Sequence, residues 1–489
     1  MKISQLIDLV RGRQDSMKGK LVNAGGWMYT SNFLDASLNM AVLVLCARFL
    51  SPADFGIYNL SMVAIGGIAV FSTPGLLHAQ IQKDELTDED MHTAFWLSLA
   101  RGVALATLVS LTAPWIAGFF GDTRLILPLR ILSLTYIIKG FENTGIVRYH
   151  RRIQFNKIAM IRLCGVFGSV VSRLGMLIFV RDYWVLVAGM LVNDLVTTSA
   201  TYFLHPFRPK FIFRLQNART LFNFGRWLML SQIANFGGRK IPQIIVGHYL
   251  SVVDAGYFAF GQNTAERFSS VAVIFRKIMF PAYAKMKHDK DKLRRAYQSV
   301  FFMFFLILTP IGVCLTLTSP QLIPAVFGAK WKPAVIIFNL FLAKFLIQIL
   351  FGHSSAVFNA VGKPYISTMS ATVYTIAVSV TSYLFIKPFG HVGPAYGACL
   401  SSTIFIFFWF YMLRETLRAH FWDYFPGMMN VLGLSIVVSG SVLVVQQIGG
   451  YNIVSSIVAL IVGMTVCAAY LYIMRKKVLA FFMNEYPAQ

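Results

Sequence analysis

The segment LVNAGGWMYTSNFLDASLNMAVLVLCARFLSPADFG, residues 21–56, has a counterpart at residues 221–256, LFNFGRWLMLSQIANFGGRKIPQIIVGHYLSVVDAG. Aligned without a gap, the two agree at Leu21/Leu221, Asn23/Asn223, Gly25/Gly225, Trp27/Trp227 and Ser31/Ser231, and again at Leu50/Leu250, Ser51/Ser251, Asp54/Asp254 and Gly56/Gly256. Chance similarity between apolar helices concentrates on Leu and Val. These matches fall on Asn, Gly, Trp, Ser and Asp, so the reading is an internal duplication.

Each copy opens on a run long enough to cross a bilayer, and the whole chain has that character. Of its 489 residues 56% are hydrophobic and 13% charged, against about 45–50% and about 25% for soluble domains. A membrane helix needs about 20 mostly apolar residues. Cutting at charged or turn-rich breaks gives about fourteen spans: 22–47, 56–80, 93–119, 125–145, 158–180, 184–204, 220–249, 255–282, 298–318, 334–357, 365–387, 393–414, 427–446 and 453–474. A transmembrane barrel would alternate apolar and polar residues. Runs such as Val103 to Trp115 and Phe301 to Leu317 do not. The expected fold is all-α and integral to the membrane.

Six helices separate the copies, an even number, so both halves face the same way and are related by an axis along the membrane normal. The division predicted is a cytoplasmic N-terminal segment 1–20, an N-lobe 21–204, a cytoplasmic linker 205–219, a C-lobe 220–414, accessory helices within 415–474 and a cytoplasmic tail 475–489. No cleavable signal is evident, since the first apolar run follows a polar segment with Asp8 and Asp15 and is too long for a signal core.

The net charge of +24 raises nucleic-acid binding, which its distribution excludes. Lys and Arg fall in short segments between apolar runs: Lys2, Arg11, Arg13, Lys18 and Lys20; Arg148, Arg151, Arg152 and Lys157; Arg208, Lys210, Arg214 and Arg219; Lys285 to Arg295; Arg414 and Arg418; Arg475, Lys476 and Lys477. The opposite loops hold Arg48, Arg124, Arg181, Lys330, Lys332 and Lys387. By the positive-inside rule both termini are cytoplasmic. All loops are short, which leaves no room for a soluble catalytic domain.

An ionisable side chain at the bilayer centre costs at least about 2.5–3.5 kcal/mol, so each needs a partner or a wet cavity. Arg162, Arg226, Arg276 and Lys277 are expected near cytoplasmic ends, where they can snorkel, while Lys139 and Glu142, spaced i,i+3, are expected to neutralise each other. Nearer mid-membrane stand Arg130, Arg173, Arg239, Lys240, Arg267 and Lys344, against Asp35, Asp194 and Glu266. Facing one cavity, that surplus suits an anion such as a pyrophosphate. Arg239 and Lys240 follow Gly237 and Gly238 and precede Pro242, a sequence expected to loosen or kink its helix. Asp35, opposite Asn235 of the second copy, fits either ion coupling or a buried interhelical hydrogen bond. Glu266 and Arg267 point about 100° apart, so a structural ion pair with another helix is the alternative to a cavity role for each.

Elsewhere the polar clusters read as structure. Cys46, Cys164, Cys314, Cys399 and Cys467 show no metal or redox spacing and are expected as buried small hydrophobes. Asp84, Glu85, Asp88, Glu89 and Asp90 form an acidic turn; His78, His248, His353 and His391 have no ligand spacing; Ile3 to Val10 fits a surface helix or an ordinary basic tail. No metal site and no cofactor are expected. Without GxSxG, Walker A or Rossmann fingerprints in context, neither catalysis nor a bound nucleotide is indicated.

Ala47 to Tyr58, ARFLSPADFGIY, together with Gly75-Leu76 and Ala79-Gln80-Ile81-Gln82, resembles the polysaccharide transport (Wzx-type flippase) branch of the multidrug/oligosaccharidyl-lipid/polysaccharide exporter superfamily. Phe280 to Tyr283, Val326 to Trp331 and Gly362-Lys363-Pro364 look like further loop signatures, closest to exopolysaccharide and colanic-acid-type exporters. The resemblance implies two six-helix lobes around a central cavity, often with two extra helices. It also implies alternating access on undecaprenyl-pyrophosphate-linked repeat units in the inner membrane, alongside a polysaccharide polymerase and a chain-length regulator. Release of an anion from cationic partners suggests coupling to H+ or Na+, with Asp35, Asp194 and Glu266 as candidates. Two other readings compete: a small-molecule exporter of the same superfamily, disfavoured by the cationic balance and by fourteen helices rather than twelve, and a membrane glycan polymerase or ligase, disfavoured by the lack of a large periplasmic loop.

Overall fold

The computed structural model describes residues 17–72, 80–81, 86–213, 215–352, 354–418 and 421–483. Fourteen long helices run through these residues: α1 Met17–Phe49, α2 Pro52–Ser72, α3 Asp88–Phe119, α4 Ile126–Gly140, α5 Phe155–Phe179, α6 Trp184–Leu204, α7 Leu215–Tyr249, α8 Val252–Lys285, α9 Lys290–Phe327, α10 Ala334–Gly352, α11 Pro364–Phe389, α12 Gly393–Leu417, α13 Phe425–Gly449 and α14 Ile453–Met483. Among the described residues there is no strand, and the fold is the all-α membrane architecture expected. Among the described residues nine stretches are long, apolar and poor enough in charge to cross a bilayer, one of them covering both α11 and α12. Helices α4, α7, α8 and α10 fall outside that set; α7 and α8 carry the central charges.

The duplication is visible in local geometry. At the α1–α2 junction the Ser51 hydroxyl donates to Asp54 Oδ2 at 2.6 Å, and the Asp54 N–H donates back to Ser51 Oγ at 3.3 Å. At α7–α8, Ser251 and Asp254 make the same exchange at 2.6 and 3.0 Å. Each satisfies orphan donors at a helix start reciprocally, and this fixes where the second helix begins.

Two compact units divide the chain, Met1–Ile233 and Ala234–Gln489, with the boundary inside α7. In the first, α3 packs on α4, α5 on α6, and α1 on α5. Small residues permit the approach: a Cβ on Gly102 would lie 2.4 Å from the Tyr136 carbonyl oxygen, and one on Gly168 would lie 2.9 Å from Val196 Cγ2. In the second, α11 packs on α12 and α8 on α10, while α13 and α14 pair with each other and against α9. Buried Cys314, Val438, Val442, Ala459 and Cys467 form that last seam.

Several expectations are corrected. Helix α9 spans 38 residues, not 298–318; at 1.5 Å per residue it is about 57 Å long, well beyond a hydrocarbon core of about 30 Å. It ends at Gly328, whose φ of 107° suits glycine. Helix α7 is continuous through Gly237, Gly238 and Pro242. The glycines let α11 approach instead, since a Cβ on Gly237 would lie 2.8 Å from Thr375 Cγ2. Cys164 is exposed on α5, whereas Cys46, Cys314 and Cys467 are buried and Cys399 half-buried. Ile3 to Val10, Gly75-Leu76, Ala79, Gln82, Asp84, Glu85, His78, His353 and Arg214 lie outside the described residues, as do the side chains of Arg226, Arg276, Lys277 and Phe280 to Ala282.

Candidate functional site

In the second unit a buried glutamine ties α7 to α8. Gln262, almost wholly buried on α8, donates through Nε2 to the Arg239 carbonyl oxygen on α7 and to Glu266 Oε1, both at 3.0 Å. Glu266 and Arg239 are the charged groups that act electrostatically on Lys240. Arg239 is exposed, and Lys240, Glu266 and Arg267 are half-buried. Among the described residues neither Arg239 nor Lys240 forms an ion pair.

Lys344 is different again. Its side chain on α10 is 3% exposed, and its ammonium lies over the rings of Phe341 and Phe345 at 5.1 Å and Tyr374 at 5.7 Å. Among the described residues it has no carboxylate partner. Phe341 and Phe345, at i−3 and i+1, come from its own helix, and α11 supplies the third ring. A desolvated cation over an aromatic face gains about 2 kcal/mol, enough to hold an ammonium but less than a buried ion pair forfeits when broken. Tyr374 also packs on α7, since a Cβ on Gly238 would lie 3.2 Å from its Cδ1. The Tyr374 ring therefore links Lys344 to the turn that carries Arg239 and Lys240.

The first unit treats its charges otherwise. Asp35 on α1 accepts from Arg162 on α5, whose other nitrogen donates to Asn32. One turn further on, Asn39 donates to Asp35 Oδ1 at 2.5 Å and accepts from Arg173 at 3.2 Å. Asn32, Asp35 and Asn39 are spaced i, i+3, i+7 along one face, opposite two arginines three turns apart. Arg173 lies flat across Gly189 on α6, where a Cβ would be 2.2 Å from its Nε. Asp194, 4% exposed, sits 3.2 Å from Lys139 Nζ, an ion pair set off the hydrogen-bonding direction. Arg130 is exposed and reaches the Ser110 carbonyl through a long 3.4 Å contact.

Two expectations of neutralisation are thus corrected. Lys139 forms its ion pair with Asp194, which α6, packed beside α4, brings within reach, and it also acts electrostatically on Glu142. Arg162 is an ion-pair partner of Asp35 instead of a side chain extended to the interface. Gln262 and Tyr374 were not singled out; a Gln in a predicted span was a visible signal, whereas the ring stacked on Lys344 comes from a helix 30 residues away and leaves no spacing to read.

Among the described residues no group of three or more His, Cys, Asp or Glu is placed to hold a metal. Asp88 pairs with Arg148, Asp90 completes the capping box with Thr87, and His391 lies 3.3 Å from Asp254.

Fold and apolar helix length together define a multi-pass helical membrane protein. The chain is similar in structure to the lipid II flippase MurJ in its inward closed conformation (TM-score 0.75, 12% identity, 92% of this chain and 99% of that one). It is similar also to an inward-facing multidrug resistance MATE transporter of the MOP superfamily (TM-score 0.61, 16% identity, 81% and 95%). Residues 45–336 match the family described as Polysaccharide biosynthesis protein, and this chain belongs to that family. Relatives include the teichuronic acid biosynthesis protein TuaB of Bacillus subtilis (26% identical, 58% of this chain and 60% of that protein) and the succinoglycan biosynthesis transport protein ExoT of Rhizobium meliloti (27%, 63% and 63%). The lipopolysaccharide biosynthesis protein WzxC of Escherichia coli is a third (25%, 66% and 67%). The chain's matches thus span 60 to 67% of the length of these curated relatives.

Proposed function

We propose that this protein is a flippase, not an enzyme, which moves undecaprenyl-pyrophosphate-linked oligosaccharide units from the cytoplasmic to the periplasmic leaflet of the bacterial inner membrane for polysaccharide biosynthesis. The observation that carries the reading is Lys344, desolvated and without a carboxylate partner among the described residues, with Arg239 and Lys240 on a neighbouring helix outside any ion pair there. A desolvated cation without a carboxylate is an expensive feature unless an anion completes it. The glycan reading draws on the family and on the relatives' names; the fold alone is shared with multidrug transporters.

In this scheme the chain works by alternating access, exposing its anion site to each side of the membrane in turn. The pyrophosphate meets Arg239, Lys240, Arg267 and Lys344 of the second unit, while the polyprenyl tail stays in lipid along the last two helices. Both termini are cytoplasmic. Coupling to H+ or Na+ falls to Glu266, Asp35 or Asp194, and a polysaccharide polymerase and chain-length regulator are the protein partners. Reconstitution with a labelled undecaprenyl-pyrophosphate oligosaccharide tests it: protein-dependent arrival of the headgroup in the far leaflet is expected. Carriage of a cationic drug with no glycan translocation would replace this reading with the small-molecule exporter.

A further inference from the structure

Resting on that reading of Lys344 as an anion contact, we propose that Phe341, Phe345 and Tyr374 are positioning residues that give its ammonium an alternative partner when the anion leaves. A transporter must release what it binds, and a cation that tightens on a pyrophosphate opposes release. An acidic neighbour would accept the ammonium afterwards, but it would also compete for it beforehand with a full charge. Aromatic faces are intermediate: they attract an ammonium through the ring quadrupole, carry no net charge and need no proton to be exchanged.

The geometry suits that task. Three rings from two helices lie 5.1, 5.1 and 5.7 Å from Lys344 Nζ. The lysine stem is flexible and its three donors rotate freely, so the ammonium swings between rings and phosphate oxygens without a backbone shift. In the first unit Arg162 is held by Asp35, Lys139 by Asp194 and Arg173 by Asn39, none of them by a ring. The aromatic solution is confined, among those charges, to the position where a held anion has to be let go.

The test is binding and release of inorganic pyrophosphate by the full chain in nanodiscs. Lys344→Gln should weaken binding about tenfold, the loss of one charge-assisted contact. Trifluorophenylalanine at 341 and 345, nearly isosteric but with a depleted ring face, should tighten binding about three- to tenfold and slow dissociation by a similar factor. In flipping assays with a short polyprenyl-pyrophosphate disaccharide, KM and kcat should then fall together. Tyr374→Phe, which keeps the ring, should bind and release as the wild type, and Tyr374→Leu should behave like the fluorinated chain. Unchanged or weaker binding by the fluorinated chain, with Lys344→Gln still impaired, overturns the aromatic role and leaves the anion site standing. Wild-type binding by Lys344→Gln overturns both.

Discussion

The two units handle the same problem, charge inside a membrane, in opposite ways. In the first, Asp35 and Asp194 each hold a basic side chain from a neighbouring helix, and Arg173 is bonded to Asn39. In the second, Arg239 and Lys240 share the surroundings of a single carboxylate, Glu266, and Lys344 rests on rings. The contrast teaches that a count of buried charges is a poor guide to a binding site; what matters is which of them are already satisfied. A paired charge is costly to disturb and contributes to architecture, whereas one without an acid is available to a ligand.

The sharpest way to break the contrast is to remove charge from each side. Arg239→Gln combined with Lys240→Gln should cut polymer export at least about tenfold, the loss of two charge-assisted contacts, with membrane abundance unchanged. Normal export at normal abundance would return these residues to a structural role. In the first unit the signature should invert. Asp194→Ala strands Lys139 and should destabilise the chain by about 3 kcal/mol, read as a lower unfolding midpoint in detergent and lower abundance. Adding Lys139→Met should recover most of the loss; no recovery would mean that Asp194 is more than the partner of Lys139.

A subtler change sharpens the comparison. Gly189→Ala puts a methyl where Arg173 Nε now lies and should cost about 1–3 kcal/mol through the displaced side chain, with export falling only in proportion to abundance. A loss of export well beyond the loss of protein would promote Arg173 from architecture to substrate contact.

The smallest expected effect is at the helix ends. Asp122 is held below the usual carboxylate range chiefly by its hydrogen bonds from the Arg124 side chain, against an opposing push from burial. Asp254 is lowered first by His391, with burial opposing and Ser251 adding. A depressed carboxylate contributes stability that is fully present above its unfolded value of about 3.9 and is lost as pH falls through the folded value. Asp122→Asn and Asp254→Asn should therefore each flatten the decline in unfolding midpoint below about pH 4, by less than about 1 kcal/mol.

Much of this architecture was legible in the residues. The apolar runs, the duplication and the Ser51/Asp54 and Ser251/Asp254 turns are local patterns, set by the lipid and by helix-end chemistry, and they appear where the sequence put them. Partnerships were not legible. Lys139 looked like a partner for Glu142 because i,i+3 spacing is visible in one dimension; its actual partner is on α6. Depth alone places Arg162 at the interface, although Asn32, Asp35 and Asn39 stand at helical spacing and imply a polar partner opposite. Gly237 and Gly238 read as a weak point in α7, but small residues also allow close approach, and only packing against Thr375 and Tyr374 tells the two uses apart.

The twin capping turns bear on how such a protein diversifies. Each half begins with an identical hydroxyl–carboxylate clasp that sets the offset between its first two helices, while the middles of those helices differ, Asp35 in one and Asn235 in the other. Geometry is thus fixed at the rims and chemistry is chosen in between. Interior side chains can be rewritten without renegotiating the frame that carries them.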